Sequence, residues 1–158
     1  MPVRPTFNPD YLYFITTKAA RYTHIFKSES IIQIILDSLH YLRTSGRMKL
    51  YVFVIMPNHI HLIVKLFQEY TLSDMMRDFK RHTARQIIRQ FMAKEESSKL
   101  DLLRDLNKDS RQEYKVWEDR YDARDVFSRE FLEQKMDYIH HNPCQPHWNL
   151  AQLPEDYP

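Results

Sequence analysis

The chain has 158 residues, of which 43% are hydrophobic and 13% aromatic, and its formal net charge is +2. These values predict one globular domain over residues 1–158 with a core that needs no disulfides, and they exclude a disordered chain. One glycine excludes the glycine-rich phosphate loops of nucleotide-binding folds, and one cysteine excludes an internal disulfide.

No apolar run approaches the roughly 18 residues that a membrane-spanning helix needs. The first residues, Met-Pro-Val-Arg-Pro, lack the apolar segment of a secretory signal. The sequence therefore predicts a cytoplasmic protein without a membrane partner.

The first half of the chain alternates strand and helix patterns. Aromatic and β-branched residues predict a first strand over residues 11–17. Apolar residues at helical spacing predict a helix over residues 29–44, capped by Ser28 and ended near Gly46. Residues 50–55 predict a second strand, and their apolar side chains on both faces favour a central place in the sheet.

The third predicted strand, residues 59–66, contains His59 and His61. Because successive side chains of a strand point to opposite faces, the two imidazoles share one face, and Ile60 and Leu62 share the other. Paired imidazoles on a rigid strand suit a divalent metal with further ligands. They also fit solvent-facing histidines on an open sheet, and the spacing alone leaves both interpretations open.

A capping box at residues 71–74 opens a second helix that is predicted to run to about Ala93. One row of this helix is positively charged, because arginines recur every four residues along it and further basic residues lie beside them. We call this row the basic ridge: Arg77, Arg81, Arg85 and Arg89, with Lys80 and His82 adjacent. Acidic residues are sparse on the row, which favours a bound anion such as nucleic acid over a purely solvated helix face.

The remaining elements complete a recognisable order. Residues 95–111 form a polar connector with room for a short helix, residues 114–117 predict a short last strand, and residues 119–125 a charged turn. Ser128 is predicted to cap a final helix that ends near His141. The order β-α-β-β-α-β predicts an α+β, ferredoxin-like antiparallel sheet with helices on one face and an added C-terminal helix. The other face is expected to be free and to carry the two histidines.

Tyr138 lies near the end of the final helix, beside its apolar stripe, where amphipathic packing with the hydroxyl at the rim is enough to explain a tyrosine. Three segments give it a context: Met-Pro-Asn-His-Ile-His at 56–61, Val-Trp-Glu-Asp-Arg-Tyr-Asp at 116–122 and Met-Asp-Tyr-Ile-His-His-Asn-Pro at 136–143. Together they resemble the single-tyrosine HUH transposases, named for two histidines around a hydrophobic residue. The resemblance extends from about Tyr11 to Trp148 and is greatest to the REP-associated tyrosine transposases and related insertion-sequence enzymes.

The resemblance implies a metal-dependent single-stranded DNA endonuclease and strand transferase. In this interpretation Tyr138 attacks phosphorus and forms a 5′-phosphotyrosine, and His59, His61 and Asn142 hold Mg²⁺ or Mn²⁺. Many insertion-sequence relatives have glutamine at the place of Asn142. The basic ridge would bind single-stranded or hairpin DNA, and four phosphate contacts predict a slope of log affinity against log salt of about −3. Relatives act as monomers or as homodimers with exchanged tyrosine helices, and the sequence leaves this choice open.

Two other functions remain compatible with the sequence. A non-catalytic nucleic-acid-binding module on the same fold would show salt-sensitive binding without cleavage. A small metal-dependent hydrolase acting on another phosphoester would still hydrolyse its substrate after Tyr138 is replaced.

Overall fold

The computed structural model describes residues 7–67, 69–107 and 111–158. In chain order its main elements are β1 (Leu12–Lys18), α1 (Glu29–Thr44), β2 (Met48–Met56), β3 (His59–Leu66), α2 (Leu72–Ala93), α3 (Ser97–Asp105), β4 (Asp122–Val126) and α4 (Arg129–His141). The four strands form one antiparallel sheet in the order β2-β3-β1-β4. This order is that of a split βαβ sheet, so the predicted α+β class is confirmed.

Local hydrogen bonds explain where the helices begin. At the start of α2, the Asp74 backbone N–H donates to Thr71 Oγ1 at 3.1 Å and the Thr71 N–H donates to Asp74 Oδ2 at 3.4 Å, which completes the predicted capping box. At α4, the Phe131 N–H donates to Ser128 Oγ at 3.1 Å. Ser28 occupies the predicted cap position of α1, but its side chain makes no capping hydrogen bond. Among the helices of the described ranges, none is long and apolar enough to cross a membrane.

The larger core lies between one sheet face and the pair α1 and α2. Ile60, Leu62 and Val64 of β3 point to this face and are completely buried. Helix side chains at the predicted spacing meet them, including Ile31, Ile35, Leu39, Met75, Phe79 and Ile87. Because the side chains of β3 alternate, His59 and His61 point to the opposite face.

That opposite face is covered by α4, so the expectation of a free face was wrong. Phe14 of β1, Val54 of β2 and Ile63 of β3 form a second core cluster with Ile139 of α4. These apolar side chains need burial, and the apolar stripe of α4 supplies it. The Tyr157 hydroxyl then donates to the Ile55 carbonyl at 2.6 Å and holds the C-terminal segment against β2. The covered face leaves a cleft at the end of the sheet where β3 begins.

The predicted central position of the second strand was also wrong, because β2 is an edge strand. Val52 and Val54 are buried on the α4 side, whereas Met48 and Ile55 belong to the core beneath α1 and α2. Helices cover both faces of β2, which explains why the strand has apolar residues on both faces although only one of its edges is paired with another strand.

The last strand was predicted in the wrong segment. Residues 114–117 make only an isolated bridge between Trp117 and Ala19. The predicted turn at residues 119–125 instead overlaps β4, which pairs with β1 from Asp122 opposite Thr16 to Val126 opposite Leu12. β4 is an edge strand with three charged residues, a composition typical of edges that avoid further pairing. The polar connector contains α3, as its apolar residues allowed.

Candidate functional site

Antiparallel pairing of β1 with β3 places the two histidines at the mouth of a cleft. His61 lies opposite Thr16 and His59 lies opposite Lys18. The centroids of the two imidazole rings are 4.7 Å apart and their planes make an angle of 75°. The rings form one wall of a cleft of about 480 Å³ between the sheet and α4.

Each histidine is oriented by a hydrogen bond at Nδ1. His61 Nδ1 lies 2.9 Å from Thr16 Oγ1, and His59 Nδ1 lies 2.7 Å from Asn58 Oδ1. The amide nitrogen of Asn58 donates to the Tyr22 carbonyl at 3.4 Å, which turns its oxygen toward His59. Because an amide oxygen only accepts, the proton of neutral His59 lies on Nδ1 and its lone pair lies on Nε2. This arrangement of partners is the one that orients metal-binding histidines.

Burial keeps both imidazoles neutral. The pKa of His61 is lowered to about 3, with burial as the largest cause and the nearby charges of His59, Lys135 and Lys18 as smaller ones. For His59, burial is again the largest cause and the pKa is lowered to about 4, with Lys18 and His147 contributing. Both pKa values lie far below 7, so the lone pairs are available to a cation at neutral pH.

The helix α4 carries Tyr138 to the same cleft. Its ring centroid lies 5.2 Å from that of His61 at 71° and 6.2 Å from that of Phe14 at 79°. The side chain is 41% exposed, so a molecule in the cleft can reach it. His61 and Tyr138, which are 77 positions apart in the sequence, therefore lie close together within one chain.

Asn142 follows α4 and completes the group of predicted site residues. It is 2% exposed, and its Oδ1 is buried without a hydrogen-bond partner in the described structure. His61 Nε2 is likewise buried without a hydrogen-bond partner among the described residues. A buried polar atom left unpaired costs roughly 1–3 kcal/mol, so two such atoms lining one cleft indicate a missing partner.

An imidazole nitrogen and an amide oxygen are both donor atoms of the kind that hold a cation. In the part of the chain that the structure describes, no three His, Cys, Asp or Glu side chains are grouped to hold a metal ion. A metal site here therefore depends on the amide oxygen of Asn142 as the third protein ligand beside the two imidazoles. Nitrogen and amide oxygen donors of this kind suit Mg²⁺, Mn²⁺ and Zn²⁺ to different degrees.

Several residues of the cleft were missed in the sequence. Lys135 lies three positions before Tyr138, a spacing that places two helical residues on one face and that could have indicated it. Thr16 and Lys18 could have been found from the β1 alternation, once the pairing with β3 was known. No sequence signal pointed to Trp148, which reaches the cleft from beyond α4.

Aromatic rings form the outer rim of the cleft. The Trp148 ring lies 5.8 Å from that of His59, and Tyr22, which also lines the cleft, is 58% exposed. Arg21 and Tyr22 have φ angles of +47° and +57°, a region that costs energy for residues other than glycine. Backbone strain at Arg21 and Tyr22 therefore accompanies the exposure of the Tyr22 ring to solvent.

The basic ridge lies on α2, across the sheet from the cleft. Arg77 is engaged by Asp74 at 3.0 Å and by Asp78 at 3.3 Å. Lys80 is turned away from the ridge, because its ammonium donates to the carbonyls of Glu118 at 2.8 Å and Arg120 at 3.2 Å. Burial lowers the pKa of Lys80 to about 8.

The remaining arginines of the ridge are available to an anion. Arg81, Arg85 and Arg89 are exposed, and within the described ranges none of them forms an ion pair. The structure therefore brings together Tyr138 and the three predicted metal ligands, and it leaves the predicted DNA-binding residues in the other layer.

The sequence of residues 10–142 matches the profile of the family described as "Transposase IS200 like". The chain belongs to this family. The IS200-like transposase is similar in fold to a REP-associated tyrosine transposase solved bound to a REP hairpin, with a TM-score of 0.70, 16% identity, and coverage of 100% of this chain and 80% of that one. It is also similar to a candidate transposase from Deinococcus radiodurans R1, with a TM-score of 0.55, 17% identity, and coverage of 89% and 96%. No curated protein sequence matches it.

Family membership makes the protein a DNA-processing enzyme of the transposase type. DNA is accordingly its partner, and DNA transposition is the process to which it belongs. The two solved structures agree on the fold that carries the cleft.

Proposed function

We propose that this transposase is a metal-dependent single-stranded DNA endonuclease and strand transferase that uses Tyr138 as its nucleophile. The observation that carries the proposal is the meeting of Tyr138 with His61 at 5.2 Å between ring centroids, within a single chain and beside two unpaired buried polar atoms. A binding module has no need of a tyrosine hydroxyl beside neutral, oriented imidazoles.

The reaction exchanges one phosphodiester for another. The hydroxyl oxygen of Tyr138 attacks phosphorus, a bond forms between that oxygen and phosphorus, and the bond from phosphorus to O3′ of the strand breaks. The phenolic proton is released, and the departing O3′ takes up a proton to become a 3′-hydroxyl. The 5′-phosphotyrosine keeps the phosphoryl group activated, so that another 3′-hydroxyl can reverse the step and join a new strand.

The surroundings of Tyr138 must assist this attack. A free phenol has a pKa of about 10, so only about one in a thousand is ionised at pH 7. His59, His61 and Asn142 are the residues that would hold Mg²⁺ or Mn²⁺, whose charge offsets that of the phosphate and orients it for in-line attack. The neutral state of both imidazoles and the unpaired Asn142 Oδ1 support this assignment.

The cleft suits a single strand. Exposed Tyr22 and the ring of Trp148 offer faces on which unpaired bases stack, and Lys18 beside Tyr22 offers a cation to the backbone. The similar fold that was solved with a REP hairpin supports a hairpin beside the cleaved strand. Because one chain supplies the tyrosine and the histidines, we propose that a monomer is sufficient.

The direct test is to capture the covalent intermediate. The wild-type protein is mixed with randomised single-stranded oligonucleotides, with or without a constant hairpin, in Mn²⁺ or in EDTA. The label is placed at the 3′ end, since the tyrosine becomes joined to the downstream fragment. An adduct on a denaturing gel that is lost in EDTA is the expected result, and its sequenced DNA identifies the strand. Salt-sensitive binding without an adduct would favour the non-catalytic module, and hydrolysis without an adduct would favour the hydrolase.

The unpaired arginines of the basic ridge, Arg81, Arg85 and Arg89, are proposed as a second contact for DNA phosphates. The triple variant Arg81→Ala, Arg85→Ala, Arg89→Ala is expected to make the slope of log affinity against log salt shallower by about 2, at roughly 0.7 per phosphate contact on a single strand. Filter binding across a salt series measures it. Arg77→Ala is the control on the same helix, because Asp74 and Asp78 already engage that guanidinium. An unchanged slope in the triple variant would remove the ridge from the DNA-binding surface.

A further inference from the structure

Lys135 places a cation beside Tyr138. The two residues are three positions apart on α4, and both line the cleft. The Lys135 ammonium lies 5.5 Å from the ring centroid of Tyr138, 4.9 Å from that of Phe14 and 5.4 Å from that of Phe131. Residues three apart in a helix share a face, so the position of the lysine relative to the tyrosine is fixed by the helix itself.

Within the part of the chain that the structure describes, the charge of Lys135 has no carboxylate partner. Aromatic faces attract a cation but do not neutralise it, and within the described ranges Lys135 is in no ion pair. Of the other lysine and arginine side chains that line the cleft, Arg124 is ion-paired, whereas Lys18 is hydrogen-bonded to a neutral hydroxyl and remains available to the DNA backbone. Arg124 Nε lies 3.7 Å from Asp122 Oδ2, and the Lys18 ammonium donates to the Tyr22 hydroxyl at 3.3 Å.

A partly buried and unneutralised ammonium next to the proposed nucleophile has one obvious counterion, the phosphate that the nucleophile attacks. The rings around it exclude water on several sides, which strengthens its attraction for an anion.

We infer that Lys135 is a catalytic residue whose ammonium binds a non-bridging oxygen of the scissile phosphate and holds the phosphate against the Tyr138 hydroxyl. This inference rests on the proposed function. The ammonium stays protonated throughout and forms no covalent bond. It stabilises the additional negative charge that the equatorial oxygens carry while the bond to Tyr138 forms and the bond to O3′ breaks.

The test compares charge with packing at this position. Lys135→Met keeps the length and apolar contacts of the stem and removes the ammonium, whereas Lys135→Arg keeps a cation. With the oligonucleotide recovered from the wild-type adduct, we expect Lys135→Met to slow single-turnover adduct formation by about 100-fold, the typical effect of removing one donor to a developing anion. Lys135→Arg is expected to stay within about tenfold of the wild type. Lys49→Met, an exposed lysine at the far end of β2, is the control and is expected to leave the rate unchanged.

A modified substrate separates contact with the phosphate from an indirect effect. A methylphosphonate at the scissile position replaces one non-bridging oxygen with a methyl group and removes the charge. On the diastereomer that lacks the oxygen bound by Lys135, the penalty of Lys135→Met is expected to fall below about fivefold. A penalty that stays near 100-fold on both diastereomers would overturn the inference, as would a melting temperature lowered enough to account for the slower rate.

Failure of the inference is distinguishable from failure of the proposed function. If the wild type forms an adduct and Lys135→Met forms it at the same rate, the role of Lys135 is wrong and the function of Tyr138 stands. If the wild type forms no adduct with any pool, the proposed function is wrong and the role of Lys135 is wrong with it.

Discussion

Replacing Tyr138 with phenylalanine is expected to reduce formation of the covalent protein–DNA adduct by about 10³-fold or more, as loss of a sole nucleophile does in other enzymes. The phenyl ring keeps the edge contacts with His61 and Phe14, so folding and strand affinity should remain close to those of the wild type. A 3′-labelled strand on a denaturing gel measures the adduct, and filter binding measures the affinity.

The matched control for this change is Tyr41→Phe. Tyr41 is 57% exposed, on α1 in the other helix layer, and it also has a cation over its ring, from Arg47. Its variant is expected to form the adduct at the wild-type rate. An adduct of undiminished yield in Tyr138→Phe would assign the nucleophile to another residue, and peptide mapping of the protein–DNA bond would identify it.

The strands and helices that were predicted well are those whose side-chain period is set by one buried face. The bounds of β3, residues 59–66, follow from alternation around Ile60 and Leu62, and those of α1 follow from an apolar residue every turn. The segment at β4 failed because an edge strand with Asp122, Arg124 and Asp125 has no such period. The apolar residues at 114–117 led to the prediction of a strand, although they are apolar for a reason other than strand pairing. Trp117 is buried against Phe26 and against Phe79 of α2, and its indole donates to Thr83 Oγ1 at 3.0 Å.

The candidate site was predictable only in part, and the reason is its sequence separation. The shared face of His59 and His61 follows from strand geometry within three residues, whereas their meeting with Tyr138 depends on how α4 folds back. That return was implied by Phe14, Val54 and Ile63, which leave the α4 face too apolar to remain free. No helix was predicted to pack on these residues, so the sequence prediction was an open sheet face. The orientation of the imidazoles by Asn58 and Thr16 is a side-chain property that no periodicity encodes.

The positions of the cleft and the basic ridge limit which form of DNA can contact both surfaces at once. A strand that occupies the cleft and also reaches Arg81, Arg85 and Arg89 must pass around an edge of the sheet, because α2 and α4 cover opposite faces. Single strands and hairpin ends bend easily enough to do so, and a straight duplex does not. The geometry therefore favours a flexible strand or a hairpin flank as the ligand that uses both surfaces.

Replacing His59 or His61 with alanine is expected to lower the Mn²⁺-dependent rate of adduct formation by about 100-fold or more. Loss of residues that only support metal ligands typically costs about 10–100-fold, and loss of a ligand costs at least as much. Free Mn²⁺, followed by its electron paramagnetic resonance signal in the presence of protein, measures binding without reference to activity. His40→Ala, an exposed histidine on α1, is the control and should bind as the wild type does. Equal Mn²⁺ affinity in all four proteins would contradict the assignment of these ligands.

A mixture of His59→Ala and Tyr138→Phe decides whether one chain is sufficient. In the structure Tyr138 approaches the histidines of its own chain, and Ile139 on the next position of α4 is completely buried in the core that fixes this approach. Exchange of α4 between two chains would have to break that packing in both. We therefore expect the mixture to remain as inactive as either variant alone, since every site in it lacks a ligand or the nucleophile. Recovery of the adduct on mixing would show that α4 serves a second chain, and the site would then be a property of the dimer.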